Sequence, residues 1–347
     1  MPRGVHSASS PAAHDPGAEA ARERAHQVDA ELATPIRVPG GGLIRIGTAG
    51  WTDPTLTAAG VFYPPAADSP EERLRYYANC FSLVEVDSTY YALPARRMAE
   101  LWAARTPPDF TFNVKAHALM TGQPTEVRRL PRELRDALPA ELAGKERIYG
   151  KDLPPELYDA VWTYFRDALE PLHSAGRLGT VLLQYPRWFL PGGRSREAIL
   201  EARERLGDLG ASVEFRNSRW FTPRNADSTL AFLAEHEIPF VMVDEPQGLP
   251  SSVPPIAAVT SPRIAAVRFH GRRADTWEKR GVGVQERFRY LYDKGELAEW
   301  VPRIEQAAAA ARETHVIMNN CYANYGTTNA AELGAMLRRA YGPGDAA

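Results

Sequence analysis

From Leu43 onward the apolar pattern switches between a period of two and a period of 3.6 eight times over, which leaves few architectures open. Strands are predicted over 43–47, 83–87, 110–115, 180–184, 212–216, 240–244, 264–270 and 315–319. Helical periodicity occupies most of the intervals, over 70–81, 94–105, 155–175, 195–206, 227–237, 285–312 and 328–341. Ser69 before Pro70 marks a helix start, because a serine side chain satisfies free amides and proline has no N–H to lose there. Alternation of this kind predicts parallel strands joined by right-handed crossovers. Eight units over residues 43–342 fit an α/β fold, a (β/α)8 barrel with a closed, parallel eight-stranded sheet. An open doubly wound sheet would want a Gly-rich nucleotide turn after the first strand. Gly47-Thr48-Ala49-Gly50 has two glycines and runs into bulky Trp51, so that fingerprint is absent.

The flanks read differently. Residues 1–42 are predicted to be a disordered, flexible tail, rich in Ala, Pro, Ser and charge, with a transient helix over 18–33 that has little to bury. Gly40-Gly41-Gly42 reads as a hinge before the fold begins. An insertion rich in Pro, Arg and Glu, roughly 117–155, separates strands three and four. Because it leaves a strand's C-terminal end, it is expected to lie over the barrel mouth as a lid. The net charge of −2 gives no general reason to expect nucleic acid or an anionic membrane as partner. No apolar run is long enough to span a bilayer and no signal core is present, so a cytoplasmic protein without membrane contact is expected. The two cysteines, Cys80 and Cys321, exclude a disulfide framework and a Cys-based zinc site. The oligomeric state is not legible.

Where the predicted strands end, charge appears on alternate positions: Val84-Glu85-Val86-Asp87, Val213-Glu214-Phe215-Arg216 and Val267-Arg268-Phe269-His270. Side chains two apart share a face of a strand, so with Val and Phe packed outward the charged set points into the barrel. The C-terminal ends of barrel strands are where ligands bind. The expected mouth set is Glu85, Asp87, Lys115, Gln184, Glu214, Arg216, Asp244, Arg268, His270, Asn319 and Asn320. Trp51, Tyr90, Tyr91, Trp188, Trp220 and Trp277 fall in loops above it and offer stacking faces. Lys115, Arg216 and Arg268 suit a carboxylate or phosphate. Glu85, Glu214, Asp244 and His270 are the candidate catalytic groups: Glu214 beside Arg216 as a base or nucleophile, and one of the Glu85–Asp87 pair as an acid. A metal ligand set is not favoured, because usable histidines are scarce and the mouth is strongly basic; no cofactor is expected, although Glu85, Glu214, Asp244 and His270 could hold one divalent ion. Arg272-Arg273 and Lys279-Arg280, after strand seven, form a basic cluster that could extend an anion site or meet a nucleic-acid backbone.

The segments Gly47-Thr48-Ala49-Gly50-Trp51, Phe62-Tyr63-Pro64, Val84 to Tyr91, Phe110 to Lys115, Leu183-Gln184-Tyr185-Pro186, Val213-Glu214-Phe215-Arg216 with Trp220, Arg268-Phe269-His270-Gly271 and Asn319-Asn320 occur in that order. Together they resemble the DUF72 (YecE-like) family of TIM-barrel proteins. The resemblance implies the barrel and implies no known reaction. This chain differs from the family's usual pattern at Asp87, where Asn is usual, and at Asn217 and Cys321, where His is common. The residues lead to three functional expectations. The first is an enzyme using carboxylate acid/base chemistry on a small, polar, anionic substrate, a phosphorylated or acidic sugar, as a hydrolase, lyase or isomerase. The second is a metal-dependent phosphodiester or nucleic-acid enzyme of the xylose-isomerase or endonuclease-IV type. The third is a non-catalytic ligand-binding protein using the same mouth.

Overall fold

The computed structural model describes residues 15–28 and 31–341. Eight parallel strands form the barrel: β1 (Leu43–Ala49), β2 (Leu83–Val86), β3 (Thr111–Lys115), β4 (Leu178–Gln184), β5 (Ala211–Glu214), β6 (Val241–Asp244), β7 (Ile264–Phe269) and β8 (Glu313–Met318). Each strand pairs with its neighbours in sequence, and β8 pairs with β1. Closure between β5 and β6 is slight, a single bridge from Val213 to Phe240. Val84, Val86, Val213, Phe215, Val267 and Phe269 are buried on the outer face of the sheet, in the core shared with the surrounding helices.

Eight longer helices surround it: α1 (Pro16–His26), α2 (Pro70–Cys80), α3 (Arg96–Ala104), α4 (Pro155–Ser174), α5 (Gly193–Leu206), α6 (Ala226–Glu235), α7 (Val301–Ala310) and α8 (Tyr325–Tyr341). The expected start of α2 is a full capping box: the Ser69 hydroxyl accepts from the Glu72 amide while the Glu72 carboxylate accepts from the Ser69 amide. The helix expected over 285–312 is broken into Val284–Arg287, Lys294–Ala298 and α7. Asp293 caps a new helix start with Glu296, and the turn before it sends Tyr292 into the core, where its hydroxyl accepts from the Gly271 amide at 2.7 Å.

The tail expectation needs correction over its described part. Residues 16–26 form α1, capped by Asp15, whose carboxylate accepts from Gly17 N at 2.7 Å. Ala18 and Ala21 are fully buried against α8, and Arg24 pairs with Glu332 at 2.6 Å. The face that packs consists of alanine, so no large-residue stripe marked it. Residues 1–14, 29 and 30 lie outside the described part. The three glycines form no open hinge: Ile36–Arg37 pairs antiparallel with Leu43–Ile44, and Gly40 and Gly41 turn between them at φ of 98° and 101°. These are backbone angles that glycine alone adopts freely.

The insertion is a packed unit. Thr125–Glu126 pairs with Arg147–Ile148, and Leu130, Leu134, Leu138, Leu142 and Ile148 join the main core. It reaches the mouth through Gln123, which donates to the Gln184 carbonyl at 3.1 Å. The lid expectation therefore reduces, in this conformation, to one wall residue.

Candidate functional site

At the centre of the mouth lies Arg268, fully buried on β7. It donates to Glu214 Oε2 on β5 and to Glu85 Oε1 on β2, each at 2.5 Å, and to Asn319 Oδ1 at 3.2 Å. A buried charge costs several kcal/mol unless paired and hydrogen-bonded, so this guanidinium is what lets two glutamates lie inside the barrel. Arg216, two residues beyond Glu214, donates to Glu214 Oε1 at 2.5 Å and to Glu245 at 3.2 Å. It also lies over the Trp277 ring, 5.0 Å from the centroid.

His270 fits between these groups. Asn319 uses its oxygen to accept from Arg268, so its amide nitrogen faces His270 Nδ1 at 2.9 Å. Nε2 faces Glu214 Oε1 at 3.4 Å and the guanidinium nitrogen Arg216 Nη2 at 3.1 Å; a neutral ring has one acceptor nitrogen, so it accepts from only one of the two donors, Asn319 and Arg216. Burial, with Arg216 beside it, lowers the His270 pKa to about 3. The neutral ring orients its neighbours and does not titrate near pH 7.

The carboxylates separate by surroundings. Burial alone would raise Glu214, but Arg216, Arg268 and His270 together hold it well below the ordinary value. Glu85 shares its one cation with Glu214 and has Asp87 nearby; burial, partly offset by Arg268, pushes it up to about 8. Glu245, buried and held by Arg216 and the Val253 amide, is likewise pushed up to about 8 by burial. Burial lowers Lys115, and its ammonium lies 4.7 Å from the centre of the Tyr90 ring.

Above this layer opens a cavity of about 630 Å³. Asp87, Lys115, Gln184, Arg216 and Asn319 form its polar wall, with Trp51, Tyr90 and Tyr91 as aromatic wall. Asp87 Oδ1 is buried without a hydrogen-bond partner, 3.9 Å from Arg268. Glu85, Glu214, Arg268 and His270 do not line the cavity; they lie under its floor. One step of two residues along a strand is about 6.6 Å, so Glu85 belongs one tier below Asp87.

Three expected site residues lie elsewhere. Asp244 is in register with outward-facing Phe269, so it leaves the barrel and accepts from Tyr292 Oη and Trp300 Nε1, each at 2.7 Å, and from Arg272 at 2.8 Å. Glu245 takes the inward position, and the alternation Val241, Val243, Glu245 carried that signal. Trp220 is buried, stacked on Phe215, with its indole N–H donated to the Phe189 carbonyl. Asn320 faces α8 and donates to Tyr290 O and Asn329 Oδ1. Residues not singled out from the sequence also line the cavity, among them Gln123, Arg105, Arg287 and Phe288.

Among the described residues, no group of three or more His, Cys, Asp or Glu is placed to hold a metal ion. The carboxylates have arginines where a cation would sit: Arg268 on Glu85 and Glu214, Arg216 on Glu245, Arg272 on Asp244. No helix among the described residues is long and apolar enough to cross a membrane.

The family described as "Protein of unknown function DUF72" matches residues 45–345. The UPF0759 protein YunF of Bacillus subtilis (strain 168) is 30% identical over 281 residues, covering 80% of this chain and 89% of that protein. A DUF72 family protein of Thermotoga maritima MSB8 superposes with a TM-score of 0.67 at 30% identity, covering 85% of this chain and 99% of that one. One from Enterococcus faecalis V583 gives 0.67 at 24% identity, covering 85% and 95%, a likeness of fold. With the barrel, the ordered motifs and these matches together, the chain belongs to the DUF72 family.

Proposed function

We propose that the mouth binds a small, polar, anionic ligand, a phosphorylated or acidic sugar, and acts on it by acid/base chemistry. The observation that carries this reading is the composition of the cavity wall: Lys115 and Arg216 face the same space as Asp87, whose Oδ1 has no partner. A barrel mouth that served stability alone would be filled with branched apolar side chains. Arg216 and Lys115 hold the anion, and the tyrosine and tryptophan rings take the sugar face. Asp53 and Asp87 are the carboxylates on the cavity wall; Asp53 Oδ1 is taken by the Thr55 amide and hydroxyl, which leaves the unpartnered Oδ1 of Asp87 to meet the ligand. Glu214 and Arg268 keep Arg216 and Asn319 aimed, and Glu85, whose pKa burial raises, lies one tier below Asp87 as part of this support. This moves the acid/base role one tier up from the Glu85–Glu214 pair that the strand ends suggest. The metal-dependent reading is disfavoured by the arginines already bound to the carboxylates.

Ligand binding to the native state raises the melting temperature in proportion to ln(1 + [L]/Kd). A panel of sugar phosphates, uronic acids and neutral sugars is therefore expected to give shifts for anionic members only. Lys115→Met is expected to abolish those shifts. Equal shifts from neutral sugars, or none from any anionic member, would refute the reading. Asp87→Asn should retain the shift and lose turnover of whichever member is converted; a ligand that binds and is never converted would mark a binding protein.

A further inference from the structure

We infer that the mouth continues into a second anion-binding compartment, so that its ligand is elongated and carries two separated negative groups. This rests on the reading of the mouth as an anion site. Beside the main cavity lies a hollow of about 320 Å³, walled by Arg187, Trp188, Ser251, Glu278, Lys279 and Arg280. Gln123, Gln184, Arg216, Arg287 and Phe288 line both spaces. The two are adjoining parts of one cleft, with Arg216 on the boundary.

The charge of this second compartment is one-sided. Arg187, Lys279, Arg280 and Arg287 line it, against the single carboxylate Glu278, which already accepts from the Ser251 amide at 3.0 Å. The basic cluster after β7 divides here. Arg272 is held by Asp244 and Glu299, and Arg273 by Asp275 and Glu286. Lys279 and Arg280, without an ion-pair partner among the described residues, face the hollow.

Two buried polar atoms also lack a partner there: Ser251 Oγ, on a residue 8% exposed, and Arg287 Nε. Leaving such atoms unmet is costly, and a hydrogen-bonding ligand would recover that cost. Trp188, 57% exposed at the rim, offers a flat face to the part of the ligand between its charges. A bisphosphorylated sugar, or one with a phosphate at one end and a carboxylate at the other, has this form. Its first anion meets Lys115 and Arg216, and its second meets Arg187, Lys279 and Arg280.

Calorimetric titration of the full chain with inorganic phosphate and with tripolyphosphate separates the possibilities. Engaging both compartments should make tripolyphosphate bind at least on the order of tenfold more tightly than phosphate. The double variant Lys279→Ala/Arg280→Ala, at two exposed positions, should erase that advantage and leave phosphate affinity unchanged. Equal affinities in the unaltered protein, or an advantage that survives the double variant, would overturn the second compartment alone. Failure of both anions to bind would overturn the reading of the mouth and this one with it. A single-stranded oligonucleotide binding more tightly than tripolyphosphate through the same two residues would replace the small dianion with a polymer and overturn the assignment.

Discussion

At the base of the barrel Arg45 donates to Glu313 at 2.7 Å and to the Asp109 carbonyl at 2.8 Å, while His315 bridges Glu313 and Asn113. At the mouth Arg268 is divided between Glu85 and Glu214, and Arg216 between Glu214 and Glu245. Both clusters are ionic and largely buried, yet they are built to different ends. At the base, burial works against the charge on Glu313, but His315 and Arg45 hold its pKa down to about 2. One carboxylate has one cation and a histidine, and the cluster closes on itself. At the mouth three glutamates share two arginines, Asp87 Oδ1 and Arg268 Nε stay unpartnered, and the tier above faces a cavity. A closed network is sufficient for structure; an open one with spare atoms leaves room for a ligand.

The strongest test of the contrast removes each cation in turn. Arg268→Met leaves Glu85 buried without its arginine and Glu214 with Arg216 alone, and is expected to cost about 3–5 kcal/mol in urea unfolding. Arg45→Met should cost less, because Glu313 retains solvent contact and His315. Equal losses would show that the two clusters do the same work.

Asp244→Ala comes next. It strips an acceptor from buried Tyr292 and Trp300 and is expected to cost about 1–3 kcal/mol while leaving anion binding unchanged, since Asp244 lies outside the barrel. Loss of anion binding at preserved stability would return Asp244 to the site.

The pH response should also differ between the ends. Glu85 and Glu245 have folded values near 8 against 4.5. Their contribution is fully present below about pH 4.5 and is lost as the pH rises toward 8. Glu214 and Glu313 are shifted downward, so their contribution is present above about pH 4.5 and is lost as the pH falls through their folded values. His270, with a folded value of about 3, contributes in the same sense, losing stability as the pH falls below 6.5. Above about pH 7, where the downshifted histidines His117, His270 and His315 no longer contribute a slope, unfolding free energies should decline toward pH 9, and Glu85→Gln should flatten that decline. A slope unchanged by the substitution would place the mouth charges differently. The smallest effect is expected at Asp15→Ala, about 1 kcal/mol from the lost cap of α1. A loss within about 0.5 kcal/mol, the ordinary range for a surface change, would return α1 to the tail expected from sequence.

Much of this contrast was legible in the alternation of the strands. It set Glu85, Glu214, Arg268 and His270 inside and their Val and Phe neighbours outside, because a period of two decides the face. It could not decide height. Whether Glu85 or Asp87 meets the ligand depends on where the loops close the floor, a long-range property. The misplacement of Asp244 came from taking the wrong face of the sixth strand, which does end there: Met242 and Asp244 share the outward face, and the inward alternation of Val241 and Val243 leads to Glu245 just beyond it. Trp220 and Asn320 sit next to true mouth residues in sequence, and only packing against Phe215 and α8 turns them away. The docking of α1 left no hydrophobic stripe because alanine packs through closeness rather than area.

The most direct measurement compares phosphate binding by calorimetry in the unaltered protein, in Lys115→Met and in Arg45→Met. Binding that is lost in Lys115→Met and kept in Arg45→Met is the expected result. Binding that is absent throughout, or that survives Lys115→Met and disappears in Arg45→Met, would contradict the account.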